Sequence, residues 1–197
     1  LPGLGGVATL PELLAAVLAS RGSTAPEPDR QRHLRAVVLA ALETERGLKE
    51  PSFEQHRAGE TLLLALDERL SDWAEKLGRK ADQLAAADPL PSPARVLELL
   101  QSVPLPADLE MPTPVRLVRL AAAVSATAAA SSRLEIYPRG LSAARAVKLA
   151  AGAVVGTGEF TLEDLRSRVH SRYPEAEPLP DRPLIDELLS AAGLDLR

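Results

Sequence analysis

The chain of 197 residues contains no cysteine, and its aromatic residues are one Trp, two Tyr and two Phe. The absence of cysteine excludes disulfides, thiolate metal ligands and cysteine nucleophiles. So few scattered aromatic side chains do not form a platform for stacking single-stranded bases. No apolar run approaches the roughly 18 residues of a membrane-spanning helix, so we predict no membrane partner.

The residue patterns of common catalytic and cofactor sites are also missing. None of the three histidines has a second ligand at metal-site spacing. The glycine-rich stretches at 3–6 and 156–160 lack the remaining residues of a phosphate-binding loop. No Gly-x-Ser-x-Gly elbow and no kinase catalytic motif occurs. We therefore predict no catalytic residue, no metal and no cofactor for this chain.

Charge is distributed unevenly although the net charge is only −4. Residues 113–172 carry nine Lys or Arg and four Asp or Glu, whereas the segments on either side are acidic. A basic middle region is typical of a nucleic-acid-binding face, and it is equally typical of solvated helix surfaces.

One phrase occurs twice, as "TLPELLAAVLASRGSTAPEPDR" at 9–30 and as "TLEDLRSRVHSRYPEAEPLPDR" at 161–182. Eight of the 22 aligned positions are identical. Thr9 with Glu12 and Thr161 with Asp164 have the spacing of capping boxes, each followed by an apolar stripe at helical period. The repeat predicts two copies of one helix–turn–helix unit.

The first copy continues with a second helix, about 30–46, for which Asp29 is the predicted N-cap. The runs "SFEQHR" and "TLLLAL" then alternate as strands around Ala58-Gly59-Glu60, which predicts a hairpin. Two helices followed by a hairpin is the order of a winged helix, with the hairpin as its wing.

The second copy shows the same elements in part. We predict a strand in "RLEIYP" at 133–138, a helix over 142–155, and a short strand at Glu159-Phe160. Asp181 is the predicted N-cap of the last helix, and "LDLR" at 194–197 is predicted to begin a wing. The linking region contains helices at 68–87, 93–102 and 113–130, punctuated by proline.

The predicted fold class is thus mainly α, with tandem winged-helix-like units joined by a helical, proline-punctuated middle. The predicted domains are 1–66, 67–130 and 131–197. We interpret the chain as a non-catalytic regulatory or protein-interaction segment, with a duplex-DNA-binding winged-helix module as the alternative. The candidate DNA-binding residues are basic: Arg30, Arg32, His33, Arg35, Arg57, Arg139, Arg145, Lys148, Arg166 and Arg168.

In a helix–turn–helix protein the second helix of the motif usually enters the major groove. Arg32 and Arg35 share one face of that helix in the first copy. The second copy has Asp186 and Glu187 in the corresponding helix, and phosphates repel carboxylates. If DNA is bound through this helix, the first copy is predicted to bind it.

Three stretches resemble a known family: "ADPLPSPARVLELLQSVPLP" at 87–106, "RLEIYPRGLSAARAVKLAAGAVVG" at 133–156 and "FTLEDLRSRVHSRYPEAEPLPDRPLIDELLSAAGLDL" at 160–196. They are similar to the region that follows the kinase part of PglW-type serine/threonine kinases of the phage growth limitation and BREX-like defence systems of bacteria. The resemblance implies a cytoplasmic auxiliary region of a larger defence protein. Its partners would be another protein, other domains of the parent chain, or duplex DNA.

Overall fold

A three-stranded antiparallel sheet and two helices form the N-terminal part of the chain. The computed structural model describes residues 4–20, 22, 27–59, 61–107, 109–151 and 161–193. Strands β2 and β3 form the predicted hairpin, and β1 pairs with the other edge of β3, which gives the order β1-β3-β2. The elements are β1 Val7–Thr9, α1 Leu10–Ser20, α2 Pro28–Arg46, β2 Glu54–Ala58 and β3 Thr61–Ala65.

The hairpin tip lies against the end of a helix from the middle of the chain. Gly59 has φ +57°, and a Cβ at this position would lie 2.5 Å from the carbonyl oxygen of Ser125. A side chain would therefore clash with backbone as well as strain the turn, so glycine is required here.

Helices α3 and α5 pack against the inner face of this sheet, and α4 packs against both of these helices. The group of buried residues formed there, which we name the central core, also includes one side of a second, two-stranded sheet. Its largest fully buried members are Leu63, Leu77, Leu100, Leu117, Leu120 and Ile136. The elements are α3 Glu68–Ala85, α4 Pro93–Gln101, α5 Pro114–Val124, β4 Ala128–Ala130 and β5 Ile136–Pro138.

The remaining helices pack on the opposite side of the β4–β5 hairpin, around a group that we name the second core. Its largest fully buried members are Tyr137, Leu141, Leu165, Tyr173 and Ile185. Successive residues of a strand face opposite ways, so Ala128 and Ile136 join the central core while Ala129 and Tyr137 join the second. The helices are α6 Ala143–Ala151, α7 Leu162–Arg172 and α8 Leu184–Ala191.

The mainly helical class agrees with the sequence prediction, and so do both capping boxes. The backbone N–H of Thr9 donates to Glu12 at 2.9 Å, and the Thr161–Asp164 box forms completely. The predicted side-chain caps of α2 and α8 are wrong. Glu27 and Pro183 occupy the N-cap positions without a side-chain bond, Asp29 lies inside α2, and the Asp181 side chain binds Arg166 instead.

The helix predicted over 113–130 is also wrong in its last part, because α5 ends at Val124 and Ala128 lies in β4. Asp82 of α3 causes this early end. Its carboxylate accepts bonds from the hydroxyls of Ser125 and Thr127, both at 2.6 Å, and from the backbone N–H of Thr127 at 2.8 Å. These bonds hold the chain in a turn that competes with helix continuation.

Two predicted strands, Glu159-Phe160 and the segment 194–197, lie outside the described residues, as does the predicted helical extension 152–155. The predicted boundary at 66/67 falls within the central core, which contains residues from β3 and from α3.

Candidate partner-binding surface

The N-terminal half of α2 is almost entirely exposed. Of its first eight residues only Leu34 is partly buried. The helix is anchored further along, where Leu42 is buried with Leu10 and Leu64 in a small core that Val38 and Leu39 complete. The amphipathic pattern therefore covers only the second half of the helix, and the first half extends into solvent.

Four of the candidate basic residues lie on this exposed half: Arg30, Arg32, His33 and Arg35. Arg32 forms an ion pair with Asp29, one turn before it, and both side chains are more than three-quarters exposed. Exposed pairs of this kind are weak and are easily exchanged for another anion.

Arg57 of β2 lies on the same cleft as part of this helix. Arg35 and Arg57 line the same open cleft of about 350 Å³, together with the ends of α1 and β3. We name Arg30, Arg32, His33, Arg35 and Arg57 the α2–hairpin surface.

Three of the candidate arginines near the C-terminus are engaged inside the molecule. The Nε of Arg139 lies 2.7 Å from Glu175, and its Nη2 donates to the carbonyl of Ala128 at 3.1 Å. Arg145 binds Asp88 at 3.0 Å and thereby joins α6 to the loop after α3. Arg166 binds Asp181 and the carbonyl of Pro180. These guanidinium groups hold elements together rather than project into solvent.

Lys148 and Arg168 are exposed, on α6 and α7 respectively. The structure brings Arg168 together with Arg133 and Arg172, which were not among the candidate DNA-binding residues. A second open cleft, of about 360 Å³, lies between α7, the β4–β5 turn and the end of α6. Among the described residues it is lined by Ser132, Arg133, Ala150, Ser167, Arg168, Ser171 and Arg172. We name it the Arg/Ser cleft.

Arg172 in this cleft is partly neutralised by Glu135 of the adjacent turn. Its Nη2 and Nε lie 2.5 and 3.1 Å from the two carboxylate oxygens, and its Nη1 donates to the carbonyl of Leu149 at 3.1 Å. Burial would raise the pKa of the Glu135 carboxyl, but the bonds from Arg172 and Ser131 outweigh it and lower that pKa below its ordinary value. Both groups are therefore charged at neutral pH.

Asp164 is a second carboxylate near the cleft. The hydrogen bond from Thr161 lowers the pKa of Asp164, and the charge of Arg168 acts in the same direction.

In the described part of the chain, no three His, Asp or Glu side chains lie close enough to hold a metal ion. The helices within the same ranges include none that is both long and apolar enough to cross a membrane.

Sequence patterns alone did not identify Arg133 and Arg172 as neighbours of Arg168. The available signal was the spacing Ser167-Arg168 to Ser171-Arg172, which places like residues four apart on one helical face. The contribution of the β4–β5 turn could not be anticipated, because residues 113–130 were expected to be one helix.

Comparison with known proteins finds a similar sequence and no similar structure. The whole chain aligns at 34% identity with a Streptomyces coelicolor (strain ATCC BAA-471 / A3(2) / M145) protein described as "Probable kinase PglW". The alignment covers 100% of this chain and 15% of that protein. No protein-family model matches the chain, and no solved structure matches it. The chain is thus related along its full length to a region of a much longer protein that is described as a kinase.

Proposed function

We propose that the chain is a non-catalytic interaction segment of a larger, cytoplasmic, bacterial phage-defence protein of the PglW type, and that it follows the kinase part of that protein. Full-length similarity to 15% of "Probable kinase PglW" supports membership in a longer parent. The absence of kinase motifs from the sequence supports a role other than phosphoryl transfer.

The first unit is a winged-helix-like unit in this proposal. Two helices lie between β1 and β2, and β1 pairs with the second strand of the hairpin, so α2 takes the position of the recognition helix. The equivalent capping boxes of α1 and α7 support the interpretation of 161–193 as a related second unit.

The main observation that supports an interaction function is the exposure of the first half of α2. A helix segment with seven of its first eight residues exposed contributes little to the core of its own chain. Val37, in the next turn, is an apolar side chain that remains 51% exposed. Basic residues around an exposed apolar side chain suit a protein surface on another domain of the parent chain or on a separate protein.

Duplex DNA is the second candidate partner. The observation that favours it is the position of Arg35 and Arg57 on one cleft between the helix and the hairpin. Guanidinium groups in that arrangement can contact neighbouring phosphates of one duplex.

Two variants of the intact chain distinguish these candidates. Val37→Asp should weaken binding to the purified remainder of the parent protein at least tenfold in a surface plasmon resonance titration. Leu184→Asp is the control, because Leu184 is 58% exposed on the distant α8. No binding by the unaltered chain, or equal binding by both variants, would reject the interaction proposal.

The DNA candidate is tested by fluorescence anisotropy with a random duplex at two salt concentrations. Arg35→Ala with Arg57→Ala should weaken binding and reduce the log–log salt slope by roughly 0.9 for each phosphate that is no longer neutralised. The control is Arg79→Ala with Arg95→Ala, which removes two exposed arginines of α3 and α4. Equal affinities in the two double variants would exclude the α2–hairpin surface as the DNA site.

A further inference from the structure

The Arg/Ser cleft concentrates donors of the kind that bind phosphate. Three arginines and three serines line one cleft of about 360 Å³. Ser167 and Arg168 lie on α7 one turn before Ser171 and Arg172, so both pairs present the same face of the helix. Guanidinium groups bind phosphate oxygens through paired hydrogen bonds, and serine hydroxyls add single donors.

The β4–β5 turn is held firmly in the position that brings Ser132 and Arg133 to this cleft. The hydroxyl of Ser131 accepts bonds from the backbone N–H groups of Arg133 and Glu135 at 3.1 and 3.0 Å. The N–H of Ser132 donates to the carbonyl of Arg172 at 3.1 Å and fastens the turn to the end of α7. The backbone of the turn is therefore in place before any ligand arrives, which reduces the entropic cost of binding.

Leu134, in the same turn, has φ +63°. This left-handed conformation is unfavourable for a residue with a Cβ, and leucine rarely adopts it. Leu134 is partly buried and packs against the central core, and this packing stabilises the strained turn. Strained backbone that the surroundings maintain is frequent at binding sites.

The charges of the cleft favour a compact anion. Glu135 occupies two of the N–H donors of Arg172 and the Leu149 carbonyl a third, which leaves two of the five for a ligand. Arg133 and Arg168 supply two more positive charges, and Asp164 offsets part of the charge of Arg168. Glu135 and Asp164 thus offset part of the positive charge of the cleft arginines, and the net charge that remains suits a single dianion better than a continuous polyanion.

We propose that the Arg/Ser cleft binds the phosphate group of a phosphoserine or phosphothreonine in a protein segment. A phosphomonoester carries nearly two negative charges at neutral pH and three acceptor oxygens. Among the described residues the lining has no aromatic side chain and one apolar residue, Ala150, so this part of the cleft offers no surface for the ring of a phosphotyrosine. The choice of a phosphorylated protein as the source rests on the proposed membership in a kinase-containing parent, whereas the anion site itself does not.

The test is an isothermal titration of the intact chain with a short phosphoserine peptide, the same peptide without phosphate, and O-phospho-L-serine alone. We expect the phosphorylated peptide to bind at least tenfold more tightly than the unphosphorylated one. Arg133→Ala with Arg168→Ala should lower its affinity at least tenfold. The control, Arg79→Ala with Arg95→Ala, removes the same charge from exposed positions on α3 and α4 and should leave the affinity unchanged.

The conservative pair Arg133→Lys with Arg168→Lys separates charge from geometry. It keeps both charges and removes the paired donors, so we expect an affinity between that of the unaltered chain and that of the alanine pair. Equal affinity for the two peptides, or unchanged affinity in the alanine pair, would overturn the proposal. Loss of random-duplex binding in the alanine pair, without loss of phosphopeptide binding, would also overturn it and assign the cleft to nucleic acid. None of these outcomes depends on Val37, Arg35 or Arg57, so they are separate from the tests of the proposed function.

Discussion

Arg116 of α5 binds the same glutamate that completes the capping box of α1. Its Nε lies 3.0 Å from Oε1 of Glu12, while Oε2 of Glu12 accepts the backbone N–H of Thr9 at 2.9 Å. Arg116 also donates to the carbonyl of Val7 at 2.5 Å. One side chain from the middle of the chain thus fastens both β1 and the start of α1, which position α2.

The pair Glu12–Arg116 should therefore contribute measurably to stability. Its side chains are only 25% and 21% exposed, so solvent screens the pair less than an exposed one. Glu12→Gln keeps a capping-box side chain and removes the charge. A double-mutant cycle of Glu12→Gln and Arg116→Ala should give a coupling energy of about 1–2 kcal/mol in urea unfolding.

The matched control is the exposed pair Glu43–Arg46 of α2, whose side chains are 63% and 67% exposed. The same cycle there should give less than about 0.5 kcal/mol. Similar coupling energies for the two pairs would contradict the role assigned to Arg116.

Gly78 of α3 lies where that helix meets the end of α5, and alanine should be unfavourable there. A Cβ at Gly78 would lie 2.7 Å from the carbonyl oxygen of Val124 and 3.0 Å from its carbonyl carbon. Alanine normally stabilises a helix interior by roughly 1 kcal/mol over glycine. We expect Gly78→Ala instead to lower the free energy of unfolding by about 1–3 kcal/mol, because backbone must move.

Gly47 supplies the control for this prediction. It ends α2 with φ −77°, and its Cβ would be no closer than 3.4 Å to another atom. Gly47→Ala should be neutral or slightly stabilising. Chemical denaturation followed by the fluorescence of Trp73, the single tryptophan of the chain, measures both variants. A Gly78→Ala protein as stable as the parent would show that α3 and α5 are not so closely packed.

The elements that local sequence patterns predicted are those whose stability is itself local. The capping boxes at Thr9 and Thr161 and the hairpin around Gly59 require only residues a few positions apart. The strand β4, in contrast, consists of three alanines, which favour helix. Its conformation depends on Asp82, more than 40 residues earlier in the chain, and no local pattern contains that information.

Prediction of the candidate site from the sequence was limited in the same way, because the partners of its side chains are distant in the chain. Arg139, Arg145 and Arg168 look equivalent in the sequence, as basic residues beside predicted elements. In the folded chain Arg139 binds Glu175 and Arg145 binds Asp88, whereas Arg168 lies with Arg133 in the lining of the Arg/Ser cleft. Tertiary packing decides which charged group a long side chain contacts. The sequence could therefore suggest candidate arginines, but it could not distinguish those that bind other parts of the chain from those that line a cleft.

Glu135 should make stability depend on acid pH. The pKa of its carboxyl is lowered from the ordinary 4.5, since the bonds from Arg172 and Ser131 outweigh the effect of burial. A lowered native pKa means that this stabilisation is present above the unfolded value and is lost as pH falls through the native value. Glu135→Gln resembles the protonated acid, so it should be less stable than the parent at neutral pH.

The difference between Glu135→Gln and the parent should shrink as pH falls from about 5 to about 3. Urea unfolding at several pH values measures it, and Glu98→Gln, in an exposed pair on α4, should show a small difference throughout. A difference that stays constant across this range would mean that the Glu135 charge contributes nothing.

The two tyrosines of the chain should report alkaline unfolding of the second core. Tyr137 and Tyr173 are 0% and 1% exposed, and their rings meet edge to face at 5.1 Å between centroids. Burial raises the pKa of each hydroxyl to about 12. Since the unfolded value is 10.0, the native state resists ionisation, and stability is fully present below pH 10 and is lost as pH rises towards 12.

Tyrosinate absorbance and Trp73 fluorescence followed together show whether the two cores unfold as one unit. The β4–β5 hairpin contributes Ile136 to the central core and Tyr137 to the second, so we expect both signals to change in one transition.

Tyr137→Phe should lower the free energy of unfolding by about 1 kcal/mol at neutral pH, because the N–H of Glu175 loses its acceptor. The same variant should lose less stability than the parent between pH 10 and 12, since only one of the two ionising groups remains. Tyrosine ionisation without any change in Trp73 fluorescence would show that the second core opens independently of the central one.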